Sequence, residues 1–215
     1  MEKRIVVILF CLASLSSYSQ EFTFVFLHKK SNPTELPKEQ LDKIMEGHMA
    51  NITRLAKEKK LAAAGPFEGG GGIFIFRSKS KKEVEDWLNT DPGIQAKRWD
   101  VEIQSYSPRV GSVCSVGEPY EMVLYNFVRY TLNTSKDTYG MIAEGMKDHQ
   151  QYIKELSAAG NIITEASFGD DEGSILIMKG EISKELIEKD PAVQKQVMTA
   201  ELKKLYIAKG SFCEK

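Results

Sequence analysis

An α+β protein built from two copies of one βαββαβ unit is predicted by three features of the 215-residue sequence. The first is self-similarity, which has to be found before any motif is trusted. Phe26 in EFTFVFLHKK matches Phe127 in EMVLYNFVRYT, an offset of 101 (127 − 26), and Leu55 and Phe67 match Leu156 and Phe168 at that offset. Two residues then drop out. Asp91-Pro92 matches Asp190-Pro191, and Gly111-Ser112-Val113-Cys114 matches Gly210-Ser211-Phe212-Cys213, at an offset of 99 (190 − 91). The second feature is an apolar period that switches between 2 and 3.6 in the same order in each copy. The third is punctuation by Gly, Pro, Asp and Ser at the switches.

Taken in order, residues 22–30 alternate as a strand, and Leu41, Ile44, Met45, His48, Ile52 and Leu55 recur at helical spacing, which predicts a helix over 37–60. Leu61–Phe67 and Ile73–Arg77 flank Gly69-Gly70-Gly71-Gly72, a run suited to a hairpin because glycine reaches positive φ without steric cost. No Lys-Ser or Lys-Thr follows and a strand comes next, so the run is not a phosphate loop. A helix over 81–89 breaks at Asp91-Pro92, and after a further turn a strand runs over 99–106. The second copy predicts a strand over 122–131, a helix over 138–159, strands over 161–168 and 174–179, a helix over 182–188 and a strand over 201–208. This order is the ferredoxin-like arrangement, an antiparallel four-stranded sheet with both helices on one face. The bare face of each copy is covered by the other, so the expected architecture is two ferredoxin-like repeats packed as a pseudo-dimeric α+β barrel within one chain. The expected division is 20–107 and 121–215, with a Ser, Pro and Gly-rich linker over 108–120.

Composition narrows the function classes. Hydrophobic residues are 42% and charged residues 27%, as in globular domains. With 29 Lys+Arg against 30 Asp+Glu there is no basic footprint for a phosphate backbone, and no nucleic-acid partner is expected. The first nineteen residues read as a signal peptide: Lys3-Arg4, an apolar run from Ile5 to Leu15, and Ser17-Tyr18-Ser19 as the cleavage site. That predicts an exported protein, periplasmic or secreted, without a membrane segment once the signal is removed. Cys114 and Cys213 then form an even pair at matched positions, for which a disulfide between the copies is the hypothesis. Trp87 and Trp99 are expected in the core. Asn51-Ile52-Thr53 and Asn133-Thr134-Ser135 match the glycosylation pattern, but the first falls in mid-helix and both are read as chance.

The chemistry rests on His48, Asp91, His149 and Asp190. There are three histidines, and two of them, His48 and His149, occupy the middle of the first helix's apolar stripe in each copy. His28 is aligned with Arg129, which points to no shared role. An imidazole among aliphatic side chains needs an acceptor for its N–H, and the repeated aspartates, 43 and 41 residues further on, are the candidates. A carboxylate there fixes the tautomer and favours the protonated ring, so each pair is suited to general acid and base work. No paired Ser or Cys nucleophile accompanies them. Asp followed by Pro is equally a good N-cap and N1 pair, and a histidine in an apolar stripe can be a satisfied core residue, so the structural reading stands beside the chemical one. No metal site is expected from two thiols and three scattered histidines.

Gly47-His48-Met49, Ala64-Gly65-Pro66 and Thr90-Asp91-Pro92, then Asp148-His149-Gln150 and Lys189-Asp190-Pro191, together resemble the YCII-related (YciI-like) family, over nearly all of the chain beyond the signal. The resemblance implies a ferredoxin-like α+β barrel, usually dimeric, with His48–Asp91 and His149–Asp190 as catalytic pairs. Some members of that family and its wider superfamily act on lactone or chlorinated aromatic-breakdown intermediates as isomerases or dehydrochlorinases. With the duplicated pair, the expectation is a lyase or isomerase without a cofactor, acting on a small carbonyl or lactone-like substrate; the alternative is an exported, non-catalytic module that binds a small ligand or a protein. Further association of the pseudo-dimer stays open. Ala166-Ser167 stands where the first copy has Gly65-Pro66, which points to a degenerate second pocket.

Overall fold

The computed structural model describes residues 22–134, 139–169 and 173–213; the expected signal peptide lies outside them. β1 (Phe22–Lys29), α1 (Lys38–Lys57), β2 (Leu61–Pro66), β3 (Gly72–Phe76), α2 (Lys81–Leu88), α3 (Pro92–Gln95) and β4 (Trp99–Val110) form the first half. A short β5 (Ser112–Val113) follows. The same order then recurs as β6 (Met122–Leu132), α4 (Tyr139–Ala158), β7 (Ile162–Phe168), β8 (Ser174–Met178), α5 (Lys184–Glu188), α6 (Pro191–Gln194) and β9 (Met198–Ala208), closed by β10 (Phe212–Cys213).

Eight strands make one antiparallel sheet in the order β2-β3-β1-β4-β7-β8-β6-β9, a mixed α/β fold with its helices against the sheet. Alternation along β1 decides which core each residue joins. Phe24 and Phe26 enter an aromatic cluster with Tyr106, Phe127 and Phe168, contributed by both halves. Val25 and Leu27 face the other way, onto Leu55 of α1 and Val84 and Leu88 of α2. Both faces of β1 are therefore covered, which is why the strand reads as a nearly continuous apolar run. Val128 and Tyr130 of β6 belong in the same way to the helix-side core of the second half.

The halves are joined through β4 and β7, where Tyr106 pairs with Phe168 and Pro108 with Ala166. β4 thus runs on to Val110, past the expected end at Tyr106. Pro108 is accommodated because the register shifts between Pro108 and Val110, where a ladder N–H is dispensable. At the far ends of the sheet, Phe67 bridges Leu205 and the Glu68 amide donates to the Lys204 carbonyl at 2.9 Å, so the two edges meet. β5 pairs with β10, and beside that ladder Cys114 and Cys213 form a disulfide with Cα atoms 5.9 Å apart.

Strand register corrects one detail of the internal alignment. Glu102 and Glu201 each lie 11 residues beyond the aspartate of their half (102 − 91; 201 − 190), and they pair with Phe26 and Arg129 respectively. Arg129 is therefore the counterpart of Phe26, not of His28. A slip of two residues keeps every side chain on its own face, so the apolar pattern does not register it. His28 and Arg129 nevertheless converge. Both contact Glu102, His28 Nε2 at 2.6 Å and the two Arg129 Nη atoms at 2.9 and 2.5 Å, while Gln104 Nε2 donates at 2.8 Å. The Arg129 guanidinium also lies over the Phe26 ring at 4.2 Å, so this knot ties β6 to β1 and β4.

Candidate active site

His48 sits on the face of α1 that also buries Asn51 and Leu55, one turn and two turns further on. Its ring packs against Trp99, with centroids 4.8 Å apart, and against Phe74 at 5.9 Å. Asp91 ends the turn after α2 and caps α3. Its Oδ1 accepts from the amides of Gly93 at 2.8 Å and Ile94 at 3.1 Å, with Pro92 at N1. The same carboxylate takes His48 Nδ1 at 3.0 and 2.9 Å from its two oxygens, and Asn51 Nδ2 at 3.1 Å from Oδ2. The capping and the histidine-orienting readings of Asp91 are thus both met by one side chain. Glycines make the approach possible: a Cβ on Gly47 would lie 2.9 Å from Pro92 Cγ, and one on Gly93 would lie 2.6 Å from Trp99 Cζ3.

Because a carboxylate accepts only, Nδ1 carries the proton between the groups; whenever the ring is neutral this selects the tautomer with a lone pair on Nε2. Among the described residues nothing hydrogen-bonds His48 Nε2. Burial on its own would push the Asp91 carboxyl up. The hydrogen bond and charge of His48, with the bonds from Asn51 and the Ile94 amide, outweigh it and hold Asp91 below the ordinary aspartate value. The carboxylate is ionised and oriented where an imidazolium would need it.

His149 and Asp190 are brought together in the same way, Nδ1 to Oδ2 at 2.6 Å, with Asp190 Oδ1 capping α6 through the Ala192 amide at 2.9 Å. The surroundings differ. Tyr130 packs edge-on to the ring at 4.7 Å, and Tyr152 takes the helix position of Asn51 and donates to the Leu186 carbonyl instead of to the aspartate. Side-chain exposure is 8% for His48 and 1% for His149.

Three residues of the first site carry no clear sequence signal. Asn51, read as part of a chance glycosylation pattern, accepts on Oδ1 from Arg54 at 2.8 Å and from Thr90 at 3.0 Å while donating to Asp91. Its mid-helix place on the histidine face was the available clue. Thr90 stands in the sequence only as the neighbour of Asp91. Trp99, expected as plain core, packs on the imidazole and lines a cavity of about 310 Å³ together with Leu41 and Met45 of α1 and the 69–71 turn. Among the described residues no three His, Cys, Asp or Glu side chains converge as metal ligands, and no helix is long and apolar enough to cross a membrane.

Residues 23–105 match the profile of the YCII-related domain. The match covers the half with the more exposed pair and stops where β4 passes to the second half. No curated protein is significantly similar to the chain. Among solved structures, the chain is similar to a protein of Fusobacterium nucleatum subsp. nucleatum provisionally assigned as a monooxygenase, with 8% identity, a TM-score of 0.47, and coverage of 92% of this chain and 96% of that one.

Proposed function

We propose that the chain is an exported lyase or isomerase that needs no cofactor, in which His48, oriented by Asp91, moves a proton on a small carbonyl or lactone-like substrate. The observation that carries the reading is the Nδ1 contact of His48 with both oxygens of a carboxylate that is itself held by three further donors, with Nε2 left unpartnered. In the first step Nε2 accepts a proton from the carbon beside the carbonyl, and the electron pair left on carbon delocalises into that carbonyl. Asp91 stabilises the imidazolium. Nε2–H then returns the proton to a different carbon, which is isomerisation, or a leaving group departs from the neighbouring carbon, which is elimination.

The halves, 20–107 and 121–215, constitute in this reading a tandem duplication fused as a pseudo-dimeric barrel, supported by the recurring element order and the meeting of the two sheet edges. Export is supported by the Cys114–Cys213 disulfide, since such bonds persist in oxidising compartments. The alternative, a non-catalytic module binding a small ligand or a protein, draws on one observation: the His149 pair is sealed, which suits packing better than proton transfer.

Hydrogen–deuterium exchange separates the two. Lactones and β-keto acids incubated with the protein in D₂O, followed by proton NMR, should lose their acidic C–H signal faster than in buffer. His48→Ala should reduce that exchange by about 100-fold or more, with the thermal transition retained, while His149→Ala leaves it near wild type. Exchange that His48→Ala does not alter, or no protein-dependent exchange across the panel, supports the binding module.

A further inference from the structure

The cavity beside His48 has an apolar floor of Leu41, Met45 and Trp99, and Lys29, Lys30 and Arg98 stand around it. It does not reach His48 directly; Trp99, which packs on the imidazole, and Met45, one turn before it on α1, belong to both. Among the described residues only Lys30 has an acidic partner there, Asp100 at 3.3 Å, and Asp100 is 70% exposed. Lys29 Nζ donates to the Gly69 carbonyl at 3.0 Å and Arg98 Nη1 to the Thr34 carbonyl at 2.8 Å. Two positive charges therefore border an apolar hollow with neutral acceptors alone. Charges set beside low-dielectric walls focus their field into the space between them.

The second half keeps apolar residues at the positions of Leu41 and Met45, Ile142 and Met146, but replaces Lys29, Trp99 and Arg98. Lys29 and Trp99 are cross-strand partners on β1 and β4, and the equivalent partners on β6 and β9 are Leu132 and Met198. Arg98, which follows the one-turn helix α3, is replaced after α6 by Val197: the amides of Arg98 and Val197 donate to the matching carbonyls of Gly93 and Ala192. Two halves that share a His–Asp contact thus differ in whether Lys and Arg stand at the end of this strand pair.

We infer that this cavity is a carboxylate subsite, present in the first half alone, for an organic anion of about single-ring size, whose apolar body lies on Trp99 and whose charge meets Lys29 and Arg98. The inference deepens the proposed acid/base reading, on which it rests for its catalytic consequence: the substrate is an organic acid, and the second pair turns nothing over because it has no means of holding one. A volume of about 310 Å³ lies at the small end of ligand sites and suits one ring with a carboxylate.

Binding is measurable apart from turnover. The indole N–H of Trp99, identified in the NMR spectrum of the full chain by its loss in Trp99→Phe, should shift on titration with benzoate, with a Kd of about 1 mM. Benzamide, the neutral isostere, should bind at least about tenfold more weakly, and Lys29→Gln/Arg98→Gln should weaken benzoate by a similar factor. Lys29→Gln alone, at an exposed position, gives the same direction of change should the double variant fold poorly. His48→Gln should keep benzoate binding, so failure of the exchange assay with binding intact counts against the chemistry and not against the subsite. Equal affinity for benzamide, unchanged benzoate affinity in the cation variants, or no Trp99 shift up to about 20 mM benzoate overturns the inference.

Discussion

Asp91 shows how one carboxylate can serve two demands that seem to compete when only the sequence is read. Capping uses Oδ1 on two amides, and the imidazole and Asn51 take what remains, chiefly Oδ2. The duplication of His48 with Asp91 was legible because both recur at matched positions; Asn51, Thr90 and Trp99 were not, because their roles exist only once α1, α3 and β4 are packed. The two roles of Asp91 can be separated. Asp91→Asn keeps an oxygen for the cap but presents an amide to His48 Nδ1, so proton exchange should fall by about 100-fold or more for a stability loss of about 1–3 kcal/mol. Asp91→Ala should lose the cap as well, a further ~1 kcal/mol. If deuterium exchange by the Asn variant equals wild type in the same assay, Asp91 is a cap and nothing more.

At the scale of elements, helices α1 and α4 were predicted within a few residues of their ends, since a 20-residue amphipathic stretch carries a strong period. α3 and α6 are single turns whose periodicity is unreadable, and they exist because an Asp cap, a Pro at N1 and a neighbouring helix hold them. The shift of β6 by two residues was invisible for a related reason, that strand patterns repeat every two. Contact between α1 and α3 passes through Gly47, where propensity and packing give opposite signs. Glycine inside an exposed helix costs about 1 kcal/mol relative to alanine, so Gly47→Ala would be stabilising on propensity alone. Its Cβ would stand 2.9 and 3.3 Å from the Pro92 ring, which is rigid and backed by the Asp91 cap. The expected net result is a destabilisation of about 1–2 kcal/mol by urea denaturation, with a change in the fluorescence of Trp99. A gain in stability shows instead that α3 yields to α1, and that the seat of Asp91 is softer than its hydrogen bonds imply.

Over the whole molecule, the repeat announced two units facing one another, but it carried no information on what lies between them, because contacts that cross from one half to the other have no counterpart in either. The Glu102 knot is a polar part of that interface, beside the Arg109–Glu165 ion pair between β4 and β7. Burial raises the Glu102 carboxyl, and the bonds from Arg129, Gln104 and His28 with the charge of Arg129 more than offset this, bringing it from 4.5 to about 2. A carboxyl depressed in the folded state stabilises the fold at every pH above its unfolded value and loses that contribution as pH falls toward the folded one. The window here is about 4.5 down to about 2, and the size is about 3 kcal/mol at most, with Glu102 still 27% exposed. Asp91, likewise depressed, adds a smaller loss in the same direction. Glu102→Gln leaves Arg129, 15% exposed, without its carboxylate, so near pH 7 the variant should unfold about 3 kcal/mol more easily. Its stability should then fall less steeply than wild type from about pH 5 to about pH 2.5, so that the two curves converge in acid. Urea titrations across that range make the comparison: parallel but displaced curves mean that the Glu102 carboxyl is not depressed in the fold, and curves that coincide mean that the knot contributes no net stability.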